Sequence, residues 1–264
     1  MEEQEASMNL RRMPFTREIG WLVLAFLYLP VIVLIVYSFN DNRTATVWTE
    51  FSLKWYGRTL NNPAIQVAAW NSIILAVAAA FGATFLALLA ALAARRAFRG
   101  RSAVEATLNA PLILPEIVIA VATLILVVSV GVELGLMPMI PAHIAFCIPF
   151  AYLPIRARIQ DMDLGMEEAA MDLYASRFST FRRVTLPLLW PGVLAGFTLA
   201  FVTSLDLFLV SFFLAGPGST TLPVYIYSAI KAGISPEINA ISTIMLVVSV
   251  FLVVLSFAFG RMRK

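Results

Sequence analysis

Two carboxylates sit where a carboxylate is costly to keep. Glu116 lies within the apolar run Ala110–Val118 and Asp206 follows Leu205 in another. An acidic side chain in a bilayer core costs roughly 2.5–3.5 kcal/mol on insertion scales and marks a functional candidate by default. The pair suits a path for a di- or polycation, whose amines need anions once their water is stripped. It would equally suit proton carriage in a secondary transporter, or pairing of each acid with a buried donor on a neighbouring helix. Other chemistries have little to work with. There is one histidine, His143, and one cysteine, Cys147. A histidine-based metal site, a nucleophile–base pair of an intramembrane enzyme and an internal disulfide are therefore all hard to assemble. No GxxxxGK[ST] loop is present, so nothing points to ATP binding by this chain.

The elements that must position these acids are membrane helices. Of 264 residues, 60% are apolar and only 13% charged, whereas soluble domains carry about 25% charged residues. A bilayer core about 30 Å thick takes about 20 apolar residues as helix. Ile19–Phe39, Ser72–Ala93, Val104–Val130, Leu188–Leu214 and Ala240–Phe259 meet that length. Ala142–Ile155 is short and holds Pro149 and Pro154, so by hydropathy it reads either as a crossing or as a re-entrant segment. Ile19–Phe39 is too long for a signal-peptide core and reads as a retained first helix. In a straight third crossing Glu116 would lie about 13 residues, or about 20 Å, from the inner end, and Asp206 at a similar depth from Pro191. Pro111, Pro115, Pro149 and Pro154 are candidate kinks.

Arginine placement selects six crossings. With six, one side receives Arg11, Arg12 and Arg17, the loop Arg95–Arg101, the segment Arg156–Arg183, and Arg261, Arg263 and Lys264, which is 15 of the 19 basic residues. Only Arg43, Lys54, Arg58 and Lys231 fall on the other side. Cytoplasmic flanks carry the excess of Lys and Arg, so both termini are expected inside. The expected organisation is a cytoplasmic tail 1–18, a six-helix domain 19–260 and a cytoplasmic tail 261–264. The outward segments, with Trp48, Trp55, Tyr56, Pro63, Pro217 and Pro223, read as an interfacial aromatic belt or as a docking rim for an external partner. Glu105, near the arginines, reads as a surface partner of Arg101.

One polar insert interrupts the apolar chain at residues 160–187. Met166–Ala175 is rich in helix formers, with Glu167 and Glu168 in an early turn where the helix dipole favours anions. Ala169, Ala170 and Leu173 form a small, smooth face. Arg177–Thr185 reads as a second short helix that Pro187 ends, with Phe178, Phe181 and Val184 along one side. Such an elbow either lies at the lipid surface or docks into a groove on a soluble partner.

Glu168-Ala169-Ala170 followed by Val184-x-Leu186-Pro187 resembles the E-A-A-x3-G-x9-I-x-L-P loop of binding-protein-dependent ABC importer permeases. Tyr174 stands at the glycine position of that pattern. The resemblance extends from about Tyr28 to Val250 and is closest to the spermidine/putrescine importer permeases. It is carried by "VYSFN" (Val36–Asn40), "APLILPEIV", "EEAAMDL", "TLPLLWPGVLAG", "SLD" (Ser204–Asp206), "GPGSTTLP" (Gly216–Pro223) and "GISPEINA" (Gly233–Ala240). Ser204-Leu205-Asp206-Leu207 lacks the second acid of the S-x-D-D found in many polyamine permeases. The resemblance implies an all-α, six-helix type I importer permease of the bacterial inner membrane, with no catalytic centre, cofactor or nucleic-acid partner of its own. It also implies a second homologous permease subunit, two cytoplasmic ATPases that bind ATP and Mg, and a periplasmic binding protein that delivers a polyamine, a related amine or another small solute. In this reading Glu168, Ala169, Ala170, Tyr174, Leu186 and Pro187 couple to the ATPase, and Glu116 and Asp206 line the substrate path.

Overall fold

The computed structural model describes residues 15–42, 47–95, 97–163, 165–233 and 236–261. Arg11, Arg12, Arg43, Arg96, Arg263 and Lys264 lie outside the described residues. The helices are α1 (Thr16–Tyr37), α2 (Lys54–Asn61), α3 (Pro63–Ala93), α4 (Arg101–Ile113), α5 (Glu116–Ser129) and α6 (Leu136–Gln160). They continue as α7 (Gly165–Asp172), α8 (Arg177–Thr180), α9 (Leu186–Asp206), α10 (Phe208–Leu214), α11 (Leu222–Ala232) and α12 (Pro236–Arg261). Five helices among the described residues are long and apolar enough to cross a membrane, and α4 with α5 makes a sixth if the bent pair counts as one span.

Three expectations are corrected. The third crossing is not straight, because α4 and α5 meet at a 108° bend. Pro115 sits at the break, where it and Leu114 before it have extended backbone; proline removes a helix donor and disfavours helix in the residue before it. The depth of about 20 Å expected for Glu116 along a straight helix therefore does not apply. The fourth crossing is longer than hydropathy indicated, since α6 runs for 25 residues with Pro149 and Pro154 inside it. Pro187 does not end a helix either. Arg177–Asp206 is one continuous helical segment, carried past the proline by a π-helical turn at Phe181–Thr185. There the Leu186 amide donates to Phe181 O, one residue further back than in an α-helix, and the wider turn relieves the clash a proline ring otherwise makes with the preceding turn.

The chain forms two units, Met1–Thr59 with Ile234–Thr243, and Leu60–Gly233 with Ile244–Lys264. In the first, α1 is apolar from Ile19 onward and none of its span is buried. The loop after α1 is wired by the polar residues of "VYSFN". Buried Asn40 donates from Nδ2 to Val47 O at 2.7 Å and accepts from the Thr49 amide at 3.0 Å, while Trp55 Nε1 donates to Asn40 O at 2.8 Å. Ser38 and Tyr56 hydroxyls lie 2.6 Å apart. Those aromatics are therefore held by specific hydrogen bonds, not only by a preference for the interface.

The second unit is built on α3, α6 and α9. Ala76, Ala80, Ala83, Ala87 and Ala91 line a buried face of α3 at helical spacing, and Gly196 of α9 lies so close to α6 that a Cβ there would meet Ala151 O at 2.7 Å. Small residues let membrane helices approach closely where no hydrophobic effect drives them together. Cys147, Ala151, Tyr152 and Ile155 of α6 fill the core between α3 and α9. Asn71 of α3 donates to Gly218 O and Thr220 O at 2.9 and 3.0 Å, and Ser72 Oγ accepts from the Leu222 amide at 2.7 Å. The "GPGSTTLP" segment is thereby fastened to α3, and the first turn of α11 gains a partner for one of its orphan donors.

Candidate functional site

The polar insert is an anchored elbow. Glu167 points back into the protein, where Arg95 beyond the end of α3 grips it end-on, Nη1 to Oε1 at 2.9 Å and Nη2 to Oε2 at 2.8 Å. Thr185 Oγ1, in the π-helical turn, donates to the same carboxylate at 2.8 Å. One side chain thus ties α7 to the end of α3 and to the start of the α9 span. The Arg95 guanidinium above all, and then the Thr185 hydroxyl, hold the Glu167 carboxyl below the usual 4.5. The planar fork of arginine matches a carboxylate in this geometry and makes a charge-assisted, directional joint.

The opposite surface of the elbow is bare. Glu168 and Ala169 are exposed and Ala170 partly so, while Leu173, Tyr174 and Phe178 are 82%, 100% and 72% exposed. Tyr174 has φ +63°, so the left-handed turn expected of glycine is kept by a tyrosine. Such a backbone costs a non-glycine residue roughly 1–2 kcal/mol, and the ring packs on none of the described residues. Apolar groups gathered on an exposed turn mark an interaction surface. Leu186 and Pro187 stand at the start of α9, above the buried Thr185.

The two intramembrane acids occupy different environments. Glu116 begins α5 at the Pro115 break, and its Oε1 accepts from the Leu209 amide at 2.8 Å. Leu209 lies in the first turn of α10, so Glu116 satisfies an orphan donor of a neighbouring helix. Asp206 ends α9 and has no hydrogen bond or ion pair among the described residues. It lines a cavity of about 290 Å³ with Phe208, Pro223, Tyr227, Ile230 and Met245. Phe208 and Phe212 pack on Tyr227 with ring centroids 4.9 and 5.6 Å away. Lys231 Nζ lies 4.8 Å from the Tyr227 ring centroid, so this ring already attracts one ammonium group.

The break between Asp206 and Phe208 is held by His143. Fully buried on α6, it has Nδ1 2.8 Å from Ser204 Oγ and Nε2 3.1 Å from Ser211 Oγ, one serine on each side of the break. The Ser211 proton goes to Leu207 O at 2.9 Å. The neutral imidazole therefore donates from Nε2 to Ser211 and accepts at Nδ1 from Ser204.

Residues 83–263 match the family described as binding-protein-dependent transport system inner membrane component. The chain belongs to that family. The spermidine/putrescine transport system permease protein PotC of Escherichia coli K12 is 41% identical over 243 residues, covering 90% of this chain and 91% of PotC. The putrescine transport system permease protein PotI of the same strain is 36% identical over 243 residues, covering 89% and 86%. The crystal structure of a bacterial ABC transporter involved in import of the acidic polysaccharide alginate aligns with TM-score 0.71 at 18% identity, over 94% of this chain and 93% of that one, a likeness of fold.

The permease thus has the all-helical fold of type I ABC importer permeases and is an inner-membrane protein. Of the residues singled out in the sequence, Glu168, Ala169, Ala170 and Tyr174 share the elbow, with Leu186 and Pro187 at its base. Glu116 and Asp206 sit on either side of the α10 start. Sequence reasoning missed two residues that hold these groups in place. In sequence Glu167 is a dipole partner beside Glu168, but neighbouring helical positions differ by about 100°, so only one of the doublet faces inward. A lone His143 offers little for catalysis, and its partners, 61 and 68 residues away, leave no spacing signature. Replacing His143 with leucine leaves the hydroxyls of Ser204 and Ser211 buried without it. Ser211 keeps its bond to Leu207 O, so a loss of about 1–3 kcal/mol follows from the Ser204 hydroxyl left unsatisfied, seen as a lower thermal midpoint in detergent, with glutamine restoring part of it.

Proposed function

We propose that the permease imports polyamines or closely related amine cations in an ATP-driven complex, with Asp206 as the ligand for an ammonium group on the path. The observation that carries the cargo assignment is Asp206 itself, a carboxylate without a partner among the described residues, in a cavity walled by aromatic rings. A carboxylate supplies the counter-charge and an aromatic face supplies cation–π attraction. The relatives named for spermidine and putrescine transport support the same class of cargo. Glu116 serves the path by fixing the start of α10 and with it the cavity wall.

Both termini and the 160–187 elbow face the cytoplasm in this reading, in keeping with the arginine distribution. A second homologous permease completes the path, a periplasmic binding protein loads it from outside, and two cytoplasmic ATPases supply ATP and Mg binding. The exposed face of Glu168, Ala169, Ala170, Leu173 and Tyr174 sits in a groove of one ATPase, with Leu186 and Pro187 at the base of the lever. Glu167 passes the movement of that elbow to α3 and α9, so that the two faces of the bundle open alternately. Uptake of radiolabelled putrescine by the assembled complex, competed with a panel of amines and amino acids, tests the cargo. Competition by putrescine and spermidine but not by neutral or acidic amino acids is expected. Effective competition by the amino acids alone assigns the complex to another solute.

A further inference from the structure

Where α3 ends and α4 begins, a second cavity, of about 280 Å³, collects three arginines. Arg95, Arg101 and Arg156 line it, over an apolar floor that includes Ala94, Ile159 and Met162. The nearby carboxylates do not balance them. Arg95 is matched by Glu167, but Arg101 Nε and Arg156 Nη2 converge on one oxygen, Oε1 of Glu105, at 2.9 and 3.3 Å. Three guanidiniums thus face two carboxylates, and most N–H groups of Arg101 and Arg156 have no acceptor among the described residues. Arg95 and Arg156 are 21% and 29% exposed at their side chains, so water screens them only in part.

We infer that this cavity binds the phosphate of an anionic phospholipid headgroup. Guanidinium forks match phosphate oxygens as they match carboxylates. The location favours a lipid as the source of that phosphate. The cavity lies at the ends of spans, where basic pockets between membrane helices take anionic headgroups, and its apolar lining by Ala91, Ala94, Ile159 and Met162 suits the glycerol end of a lipid. The Glu105 carboxylate, expected from sequence as a surface partner of Arg101, offsets only one of the two positive charges it meets and so opposes an incoming anion. Since Arg95 also grips Glu167, a bound headgroup sits beside the joint that anchors the coupling elbow. The inference rests on the membrane assignment and does not depend on the cargo.

Native mass spectrometry of the full-length permease in detergent, titrated with phosphatidylglycerol or phosphatidylcholine, tests it. Phosphatidylglycerol should be retained about tenfold more strongly. The double variant Arg101→Gln/Arg156→Gln should lose that excess and keep its phosphatidylcholine binding. Should the double variant fail to fold, Glu105→Gln provides the opposite arm, since removing a negative charge must raise phosphatidylglycerol retention. Equal retention of the two lipids, an excess untouched by the double variant, or a fall with Glu105→Gln overturns the proposal. Glycerol 3-phosphate is the remaining arm. Displacement of phosphatidylglycerol by stoichiometric glycerol 3-phosphate would identify a soluble phosphate as the ligand and overturn the lipid assignment, whereas persistence of the lipid against it supports the assignment.

Discussion

Cargo uptake by a Glu167→Ala permease is expected to fall by at least about tenfold, with insertion into the membrane unchanged. The alanine removes both bonds from Arg95 and the bond from Thr185. Hydrogen bonds to charged groups contribute about 1.5–3 kcal/mol each, and the guanidinium left behind keeps its burial without its counter-charge. Among the described residues α7 then has no polar tie to Arg95 or to Thr185, so closure of an ATPase would move α7 without moving α9. Hydrolysis by the complex should persist while its stimulation by cargo disappears. Glu168→Lys reaches a similar loss by a different route, since Glu168 is exposed and its reversal disturbs docking while the anchor stays intact. Recovery of the partner ATPase on purification separates the two, being retained by Glu167→Ala and reduced by Glu168→Lys. Normal coupled uptake by Glu167→Ala would remove the anchor from the mechanism.

The same joint has a defined pH dependence. Arg95 holds the Glu167 carboxyl below the ordinary value of 4.5. A depressed carboxyl stabilises the folded joint fully above that ordinary value, and the stabilisation is lost as pH falls through the lowered one. The anchor therefore contributes no pH dependence to uptake between about pH 6 and pH 8, where the carboxyl is ionised in either state.

Asp206→Asn should reduce diamine uptake about 10- to 100-fold and leave the assembled complex intact. The figure follows from losing one charge-assisted bond to an ammonium, worth about 1.5–3 kcal/mol. The fold has little to lose, because no hydrogen bond or ion pair of Asp206 occurs among the described residues and asparagine has nearly the same shape. Glu116 provides the contrast. Its role toward Leu209 is to accept one amide hydrogen bond, which a glutamine oxygen can also accept, so Glu116→Gln should keep most uptake while Glu116→Leu destabilises the start of α10. Diamine uptake unchanged by Asp206→Asn would take Asp206 off the path.

The broad architecture was legible because the forces behind it act along the chain. Apolar length is enough to place the long helices, and α6 is one of them despite the two prolines that allow a re-entrant reading. The departures come from contacts between distant segments. The break at Leu207 carries neither glycine nor proline, and it persists because Glu116 caps one side and His143 bridges Ser204 and Ser211 across it. The π-helical turn hides for a related reason, since a proline in a sequence ordinarily signals an ending and only the widened ladder shows that the helix continues. Tyr174 was the informative departure. A residue that adopts the left-handed turn without glycine's freedom, with its ring in the open, fits a side chain kept for contact outside the chain.

That contact is also where the account is most directly exposed to test. A photoreactive phenylalanine analogue placed at Tyr174 and illuminated in native membranes should form its main cross-link to an ABC ATPase subunit, with a yield that changes when nucleotide is trapped. Cross-linking to lipid alone, or to no ATPase in either nucleotide state, would contradict the docking of this elbow onto the motor.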